Sequence, residues 1–339
     1  MKLIRYLFII MCFLPLSEQV RAQDSTPFSM SFPLNCELRK NCWTLYYVDV
    51  NREEDVVEDY SCGKRSYDQH KGTDFAIRDY HAMAEGIDVL AVSDGIAVRL
   101  RDGVKDNFKT EEEFEAIRKA GMECGNGVFI DHGNGFSTQY CHLKEDSITV
   151  KKGEAVKRGQ KIGQVGISGL AEHPHLHLSV YKDKALIDPF MGLDVEQDCA
   201  RDYAGSKVYW DETMPARDDQ PEFYDSGFTA AMPDFDKIVT GQRGEALVRG
   251  SKAIIFWVSM FDIRQGDYIT MNILDEAGTQ YTTRTISQES DKIRQHYALG
   301  RKTVQGMPAG TYTGQIALTR VMDDGNTQTY RHSQVITLQ

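Results

Sequence analysis

Apolar positions in the first two thirds of the chain fall into short runs punctuated by glycine. Residues 89–92 and 96–100 form two such runs joined through Asp94-Gly95, which predicts a β-hairpin. Residues 128–131 and 136–142 bracket His132-Gly133-Asn134-Gly135 and predict a second hairpin. Between residues 150 and 169, Val156, Ile162 and Val165 stand among glycines, a pattern of tight turns between further strands. One helical pattern interrupts this over residues 108–122. It opens on Thr110 with Glu113 three positions later, a capping-box arrangement. It reads as an inserted surface helix, expected to be a solvated decoration rather than the border of a substrate groove.

Later in the chain, residues 253–260, 268–274, 279–287, 311–319 and 329–338 are candidate strands with turns at Gln265-Gly266 and Asp324-Gly325. Five strands at this spacing predict a β-sandwich, and Trp257 without a nearby cysteine is compatible with an immunoglobulin-like domain lacking a disulfide. The intervening residues 201–233 are polar, rich in Asp, and hold Pro215, Pro221 and Pro233, as a linker would. A chain of 339 residues exceeds what one core usually serves. The expected organisation is therefore mainly β: a signal peptide at 1–22, a cysteine-containing segment at 23–66, a first β-sheet domain at 67–199, a linker at 200–232 and a sandwich at 233–339.

The signal peptide is read from Lys2 and Arg5 ahead of the apolar run 7–16, followed by Val20-Arg21-Ala22 as a cleavage site. That run is shorter than the roughly 20 residues a membrane span needs. The expectation is a periplasmic or secreted protein with no stable membrane insertion after signal removal. Loss of residues 1–22 removes Lys2, Arg5 and Arg21 but only Glu18, moving the formal charge from −11 to −13. Such a field disfavours nucleic acid and anionic lipid as partners. Six cysteines remain, at 36, 42, 62, 124, 141 and 199, and no Cys-x-x-Cys pair suggests a cysteine metal site. Three disulfides are expected in an oxidising compartment. The best single pairing is Cys124 with Cys141, which flank the second hairpin.

Five of the nine histidines gather into three short segments: His70 with Asp74, His142, and His175 with His177. Gly72 and Thr73 argue against a helix between His70 and Asp74, so imidazole and carboxylate are expected to meet across a bend. In Pro174-His175-Leu176-His177-Leu178 a strand's period of two turns both histidines to one face and both leucines to the other. Two histidines and a carboxylate, with one position left to water, form the ligand set of a catalytic zinc site. Zinc makes hydroxide available near neutral pH, which points to hydrolysis, and spare histidines there can move the protons. Spacing leaves open which of His175 and His177 would bind the metal. His81, His132, His296 and His332 lack such company and read as structural or solvated.

His70-x-x-x-Asp74, the 138–143 segment Thr-Gln-Tyr-Cys-His-Leu and the 174–177 segment Pro-His-Leu-His, in that order, resemble the signature of lysostaphin/LytM-type zinc metallopeptidases. Residues 89–95 and the glycine pattern of 153–169 are also similar, so the resemblance spans roughly residues 65–190. It implies a LytM-type antiparallel β-sheet peptidase domain holding one zinc ion. His70, Asp74 and His177 would be the ligands, with His142 and His175 as the acid/base and oxyanion-stabilising pair. The implied function is hydrolysis of peptide crosslinks in bacterial peptidoglycan, with the bond between D-alanine and a diaminopimelate side chain as the target. The alternative is a non-enzymatic regulator or activator of another wall hydrolase; family members of that sort usually lack the metal ligands. The chain departs from the family at His173, where glycine is common, at the 108–122 insertion and in the cysteine-rich segment 36–62. His173 is expected as a solvated loop side chain rather than an extra group at the cleft. The sandwich's own residues choose no role for it.

Overall fold

The computed structural model describes residues 27–51, 53–192, 199, 208–214, 220–322 and 325–339. The expected signal peptide lies outside them, as does most of residues 193–207. The described chain is mainly β, with antiparallel strand pairs throughout.

The first part contains β1 (Cys42–Tyr46), β2 (Thr73–Ile77), α1 (Tyr80–Glu85), β3 (Asp88–Leu90), β4 (Gly95–Arg101), α2 (Glu111–Ala120), β5 (Asn126–Gly133), β6 (Phe136–Leu143), β7 (Ala155–Val156), β8 (Lys161–Gln164), β9 (His175–Lys182) and β10 (Ala185–Ile187). Its main sheet runs β1-β2-β9-β6-β5-β4-β7, and β10 adds to β9. In β9 the alternation is clear: Leu176, Leu178 and Val180 enter the core, leaving His175 and His177 on the opposite face. The β5–β6 hairpin forms as expected, with Asn134 and Gly135 as the two turn residues, both at positive φ, the conformation a type I′ turn requires. Residues before β2 belong to this same core: Met30, Leu34, Tyr47, Val50 and Tyr60 pack in it, and Tyr60 stacks on Phe190.

The expected hairpin at Asp94-Gly95 does not form. β3 pairs with β8 in a separate two-stranded sheet, and β4 pairs with β5 and β7. The glycine serves a close approach instead of a turn: a Cβ there would meet the Asp131 carbonyl at 2.6 Å. Asp94 accepts from Lys157 Nζ and the Arg158 backbone N–H, fastening the bend to the segment after β7.

The second part contains β11 (Glu222–Thr229), α3 (Phe235–Val239), β12 (Ala253–Ile263), β13 (Tyr268–Leu274), β14 (Gln280–Ser287), β15 (Lys292–Lys302), β16 (Gly310–Val321) and β17 (Thr327–Leu338). Three strands, β11-β12-β15, face four, β14-β13-β16-β17, as a β-sandwich. The fourth strand, β14, pairs with β13, whereas in the constant-type immunoglobulin arrangement it would lie beside the fifth, β15. Two strands escaped the sequence reading. β11 lies within the stretch expected as linker, and β15, Lys-Ile-Arg-Gln-His-Tyr-Ala-Leu-Gly-Arg-Lys, is too polar to show a buried face. The run in β12 is continuously apolar because both its faces are covered. Ile254, Phe256, Val258 and Met260 enter the sandwich core, while Trp257 packs outward against Phe235 of α3 and the Arg243 guanidinium. Trp257 is thus not the inter-sheet tryptophan of an immunoglobulin core.

A third apolar cluster joins the two parts. Trp43, Leu45 and Ala76 of the first meet Tyr224 and Phe261 of the second, and Tyr224 stacks on Phe261 at 4.0 Å. Arg243 bridges the buried Asp79 and Asp225, and Arg39 pairs with Glu222 at 2.7 Å. This contact sets the sandwich beside the histidine-bearing face of the main sheet.

Candidate active site

Three adjacent strands in the middle of the main sheet carry the clustered side chains. Asp74 on β2 lies directly opposite His177 on β9, and Cys141 on β6 lies opposite His177 from the other side. Paired positions point to the same face, so Asp74, His175 and His177 converge there. His70 reaches the group from the bend before β2. His142 follows Cys141 and would point away in a regular strand, but its backbone adopts φ 61°, left-handed, and turns the ring toward His175 and His177. Holding a non-glycine residue in that region costs about 1–3 kcal/mol. The donation of the His142 N–H to the Cys124 carbonyl at 2.8 Å and the Cys124–Cys141 disulfide pin it.

Hydrogen bonds orient the rings. His70 Nδ1–H donates to the Tyr47 carbonyl at 2.7 Å, which leaves its Nε2 a bare acceptor, and His177 Nε2 lies 3.0 Å from Ser179 Oγ, a hydroxyl able to accept or donate. His70 Nε2 and His177 Nδ1 are 3.1 Å apart, and they face Asp74 Oδ1 at 3.2 Å and 2.9 Å. With the His177 proton on Nε2, three lone pairs meet there, the set a cation takes. Ligand atoms each about 2.0–2.2 Å from one tetrahedral zinc lie roughly 3.3 Å apart, close to these separations. His70, Asp74 and His177 therefore fit a metal ion, and among the described residues they are the group whose ligand atoms all lie within 4.8 Å of one another. Two imidazoles and one carboxylate leave a coordination place free for solvent.

His142 and His175 flank this group, their ring centroids 4.7 Å apart. Each donates its Nδ1–H to a backbone carbonyl, His142 to Ser168 at 2.8 Å and His175 to His173 at 2.7 Å. Nε2 of each remains an acceptor, and that of His175 lies 3.7 Å from Asp74 Oδ2. Burial lowers His142 well below the ordinary histidine range, helped by His175 and His177. His177 is also lowered by burial, against the opposing pull of Asp74. Burial pushes the Asp74 carboxyl up, but the three imidazoles around it hold it well below the usual carboxylate range. Gly72 makes room for the His177 ring, because a Cβ there would lie 2.5 Å from Nε2.

A cleft of about 570 Å³ opens onto Asp74 and His175. Tyr46 and Tyr67 line it, and both flank His70, Tyr67 stacked at 4.2 Å. Sequence reasoning missed both tyrosines; the signal available was an aromatic three residues before His70. Burial, with the Asp74 charge, pushes the Tyr46 phenol up to about 12 and raises Tyr67 as well. Phe114 and Arg118 of α2 also line the cleft, so the inserted helix borders the groove and is not mere decoration. Its capping box at Thr110 and Glu113 forms as expected. His173 likewise corrects the sequence reading: it is buried at the cleft wall, donating from Nε2 to the Ile77 carbonyl at 2.6 Å and accepting at Nδ1 from Arg294 at 3.0 Å. His132, His296 and His332 hold hydroxyls, those of Thr138, Ser259 and Ser226, away from the cluster, and His81 is exposed.

Residues 68–189 match the model of Peptidase family M23. A stretch of 108 residues is 38% identical to peptidoglycan DD-endopeptidase ShyA of Vibrio cholerae serotype O1, covering 32% of this chain and 19% of that protein. The chain spans a quarter or less of the length of that relative and of an uncharacterized metalloprotease of Buchnera aphidicola, 32% identical over 120 residues. Among solved structures, a zinc containing peptidase from Vibrio cholerae is 26% identical, covering 50% of this chain and 41% of the other with a TM-score of 0.28. All five clustered side chains fall inside the family match, and the chain carries a LytM-type domain of Peptidase family M23.

Proposed function

We propose that this protein is an exported zinc-dependent endopeptidase that hydrolyses peptide crosslinks of bacterial peptidoglycan. The observation that carries the reading is the convergence of three ligand atoms, His70 Nε2, Asp74 Oδ1 and His177 Nδ1, beside two further imidazoles at a cleft. The name of the Vibrio cholerae relative, a peptidoglycan DD-endopeptidase, supports the substrate. A zinc ion held by those three atoms supplies a Lewis acid and makes water nucleophilic near neutral pH.

The chain's own residues do the remaining work. His142 and His175 present bare Nε2 atoms, because their Nδ1–H groups are committed to carbonyls. Burial keeps His142 unprotonated at neutral pH, ready to accept the water's proton. Once protonated at Nε2, either ring becomes a donor that can steady the carbonyl oxygen's developing charge or protonate the departing amine. The raised phenols of Tyr46 and Tyr67 stay protonated and offer further donors along the cleft.

In this reading residues 1–22 direct export, residues 67–199 are the peptidase domain and the sandwich follows a linker. The disulfides Cys36–Cys42, Cys62–Cys199 and Cys124–Cys141 support a periplasmic or secreted location. No helix among the described residues is long and apolar enough to cross a membrane. The test is digestion of purified sacculi by the zinc-replete protein, with and without chelator, followed by mass analysis. New uncrosslinked fragments that vanish with chelator or with His177→Ala are expected; their absence under zinc-replete conditions refutes the proposal.

A further inference from the structure

The cleft is not built by the peptidase domain alone. One wall comes from the sandwich: Phe261 of β12 and Asp291, Lys292, Ile293 and Arg294 at the start of β15. The apolar cluster of Trp43, Leu45, Tyr224 and Phe261 holds that wall against β1, with Ile293 packed on it. The charges on the lining are not equivalent. Arg118 is already paired with Glu111 and Glu115, and Asp291 accepts from the Gln265 backbone N–H. Arg294 is half-buried and, among the described residues, has no carboxylate within ion-pair distance. Its guanidinium donates from Nη1 to His173 Nδ1 at 3.0 Å. His173 is an acceptor there because its Nε2–H is committed to the Ile77 carbonyl. A neutral, buried ring thus orients the guanidinium without neutralising it, and most of its five N–H donors stay open.

We propose that the sandwich completes the substrate cleft and that Arg294 is a specificity-determining residue that takes a free carboxylate flanking the scissile bond. The inference rests on the endopeptidase reading and adds to it the chemistry of the substrate. A planar guanidinium binds a carboxylate through two parallel hydrogen bonds, a geometry lysine cannot reproduce. The chain's net charge of −11 repels anionic peptides at long range, so a local cation at the cleft is needed to retain one. Glu172 and Asp291 also line the cleft, so it is not uniformly basic. Tyr46 lines the same cleft as Asp74 and Arg294.

The experiment uses the full zinc-loaded chain and two synthetic D-alanyl-diaminopimelate peptides, identical except that the carboxyl beside the scissile bond is free in one and amidated in the other. Wild type should prefer the free carboxylate by about tenfold or more in kcat/KM, the range of a lost charge-assisted hydrogen bond. Arg294→Gln should abolish that preference, lowering kcat/KM on the free-carboxylate peptide about tenfold more than on the amidated one while zinc content is retained, and Arg294→Lys should restore part of it. Retention of the preference in Arg294→Gln overturns the inference, and so does an equal loss on both peptides, which assigns Arg294 to docking alone. If wild type cleaves neither peptide, the endopeptidase reading fails. Fluorescence-anisotropy binding of the same pair then decides the inference: a carboxylate preference lost in Arg294→Gln upholds it, and equal binding of both peptides overturns it.

Discussion

Gly72→Ala is the smallest change that reaches the candidate metal-binding group without replacing any of its side chains. The added methyl would lie 2.5 Å from His177 Nε2, 2.7 Å from Cε1 and 2.8 Å from the Leu178 carbonyl, all under the 3.0 Å that real Cβ contacts respect. The carbonyl cannot retreat, because Thr73 and Leu178 are partners in the β2–β9 ladder. The imidazole must therefore move, and with it the Ser179 bond that orients the ring. Overpacking of this kind costs about 1–3 kcal/mol of stability. Loss of the bond that orients a ligand costs about 10–100-fold in metal affinity. Competition titration against a chromophoric chelator measures the affinity, and urea unfolding of the metal-free protein measures the stability. A zinc affinity within twofold of wild type, with an unchanged urea midpoint, would refute the reasoning, since it would mean that the His177 ring is not held where the hydrogen bonds place it.

Two further outcomes are expected. Replacing Cys124 and Cys141 together by Ser should destabilise the protein by about 2–4 kcal/mol, from release of a 17-residue loop. It should also lower turnover through freedom at the left-handed His142; unaltered kcat would separate the disulfide from the site. Stability should fall on acidification, because burial holds His173 well below the ordinary value and lowers His296 to about 4. The unfolded chain takes up these protons first, so stability is full above about pH 6.5 and declines as pH falls toward 4. His296→Gln should flatten part of the decline in urea midpoints measured at pH 7 and pH 5, and an identical slope would contradict the assignment.

The chemistry-bearing residues were legible in the sequence because they ride on local rules. The period of two in β9 aligns His175 with His177, the capping box starts α2, and Asn134-Gly135 sets the β5–β6 turn. Each is decided within a few residues by backbone sterics and side-chain direction. Partner choice is not local. Asp94-Gly95 carries a hairpin signal, yet β3 and β4 separate because each finds a distant strand, and the glycine is needed only where Asp131 approaches. β11 and β15 are polar enough to pass for loops until the neighbours in their sheet cover them. The left-handed turn that swings His142 into the cluster is imposed by Cys124, Cys141 and Ser168 together. The docking of the sandwich on β1, which brings Arg294 to His173, depends on apolar surfaces more than 170 residues apart in the chain, Trp43 against Tyr224 and Phe261. Sequence periodicity specifies which face a side chain takes, whereas the partner across that face is settled by burial summed over the whole tertiary structure.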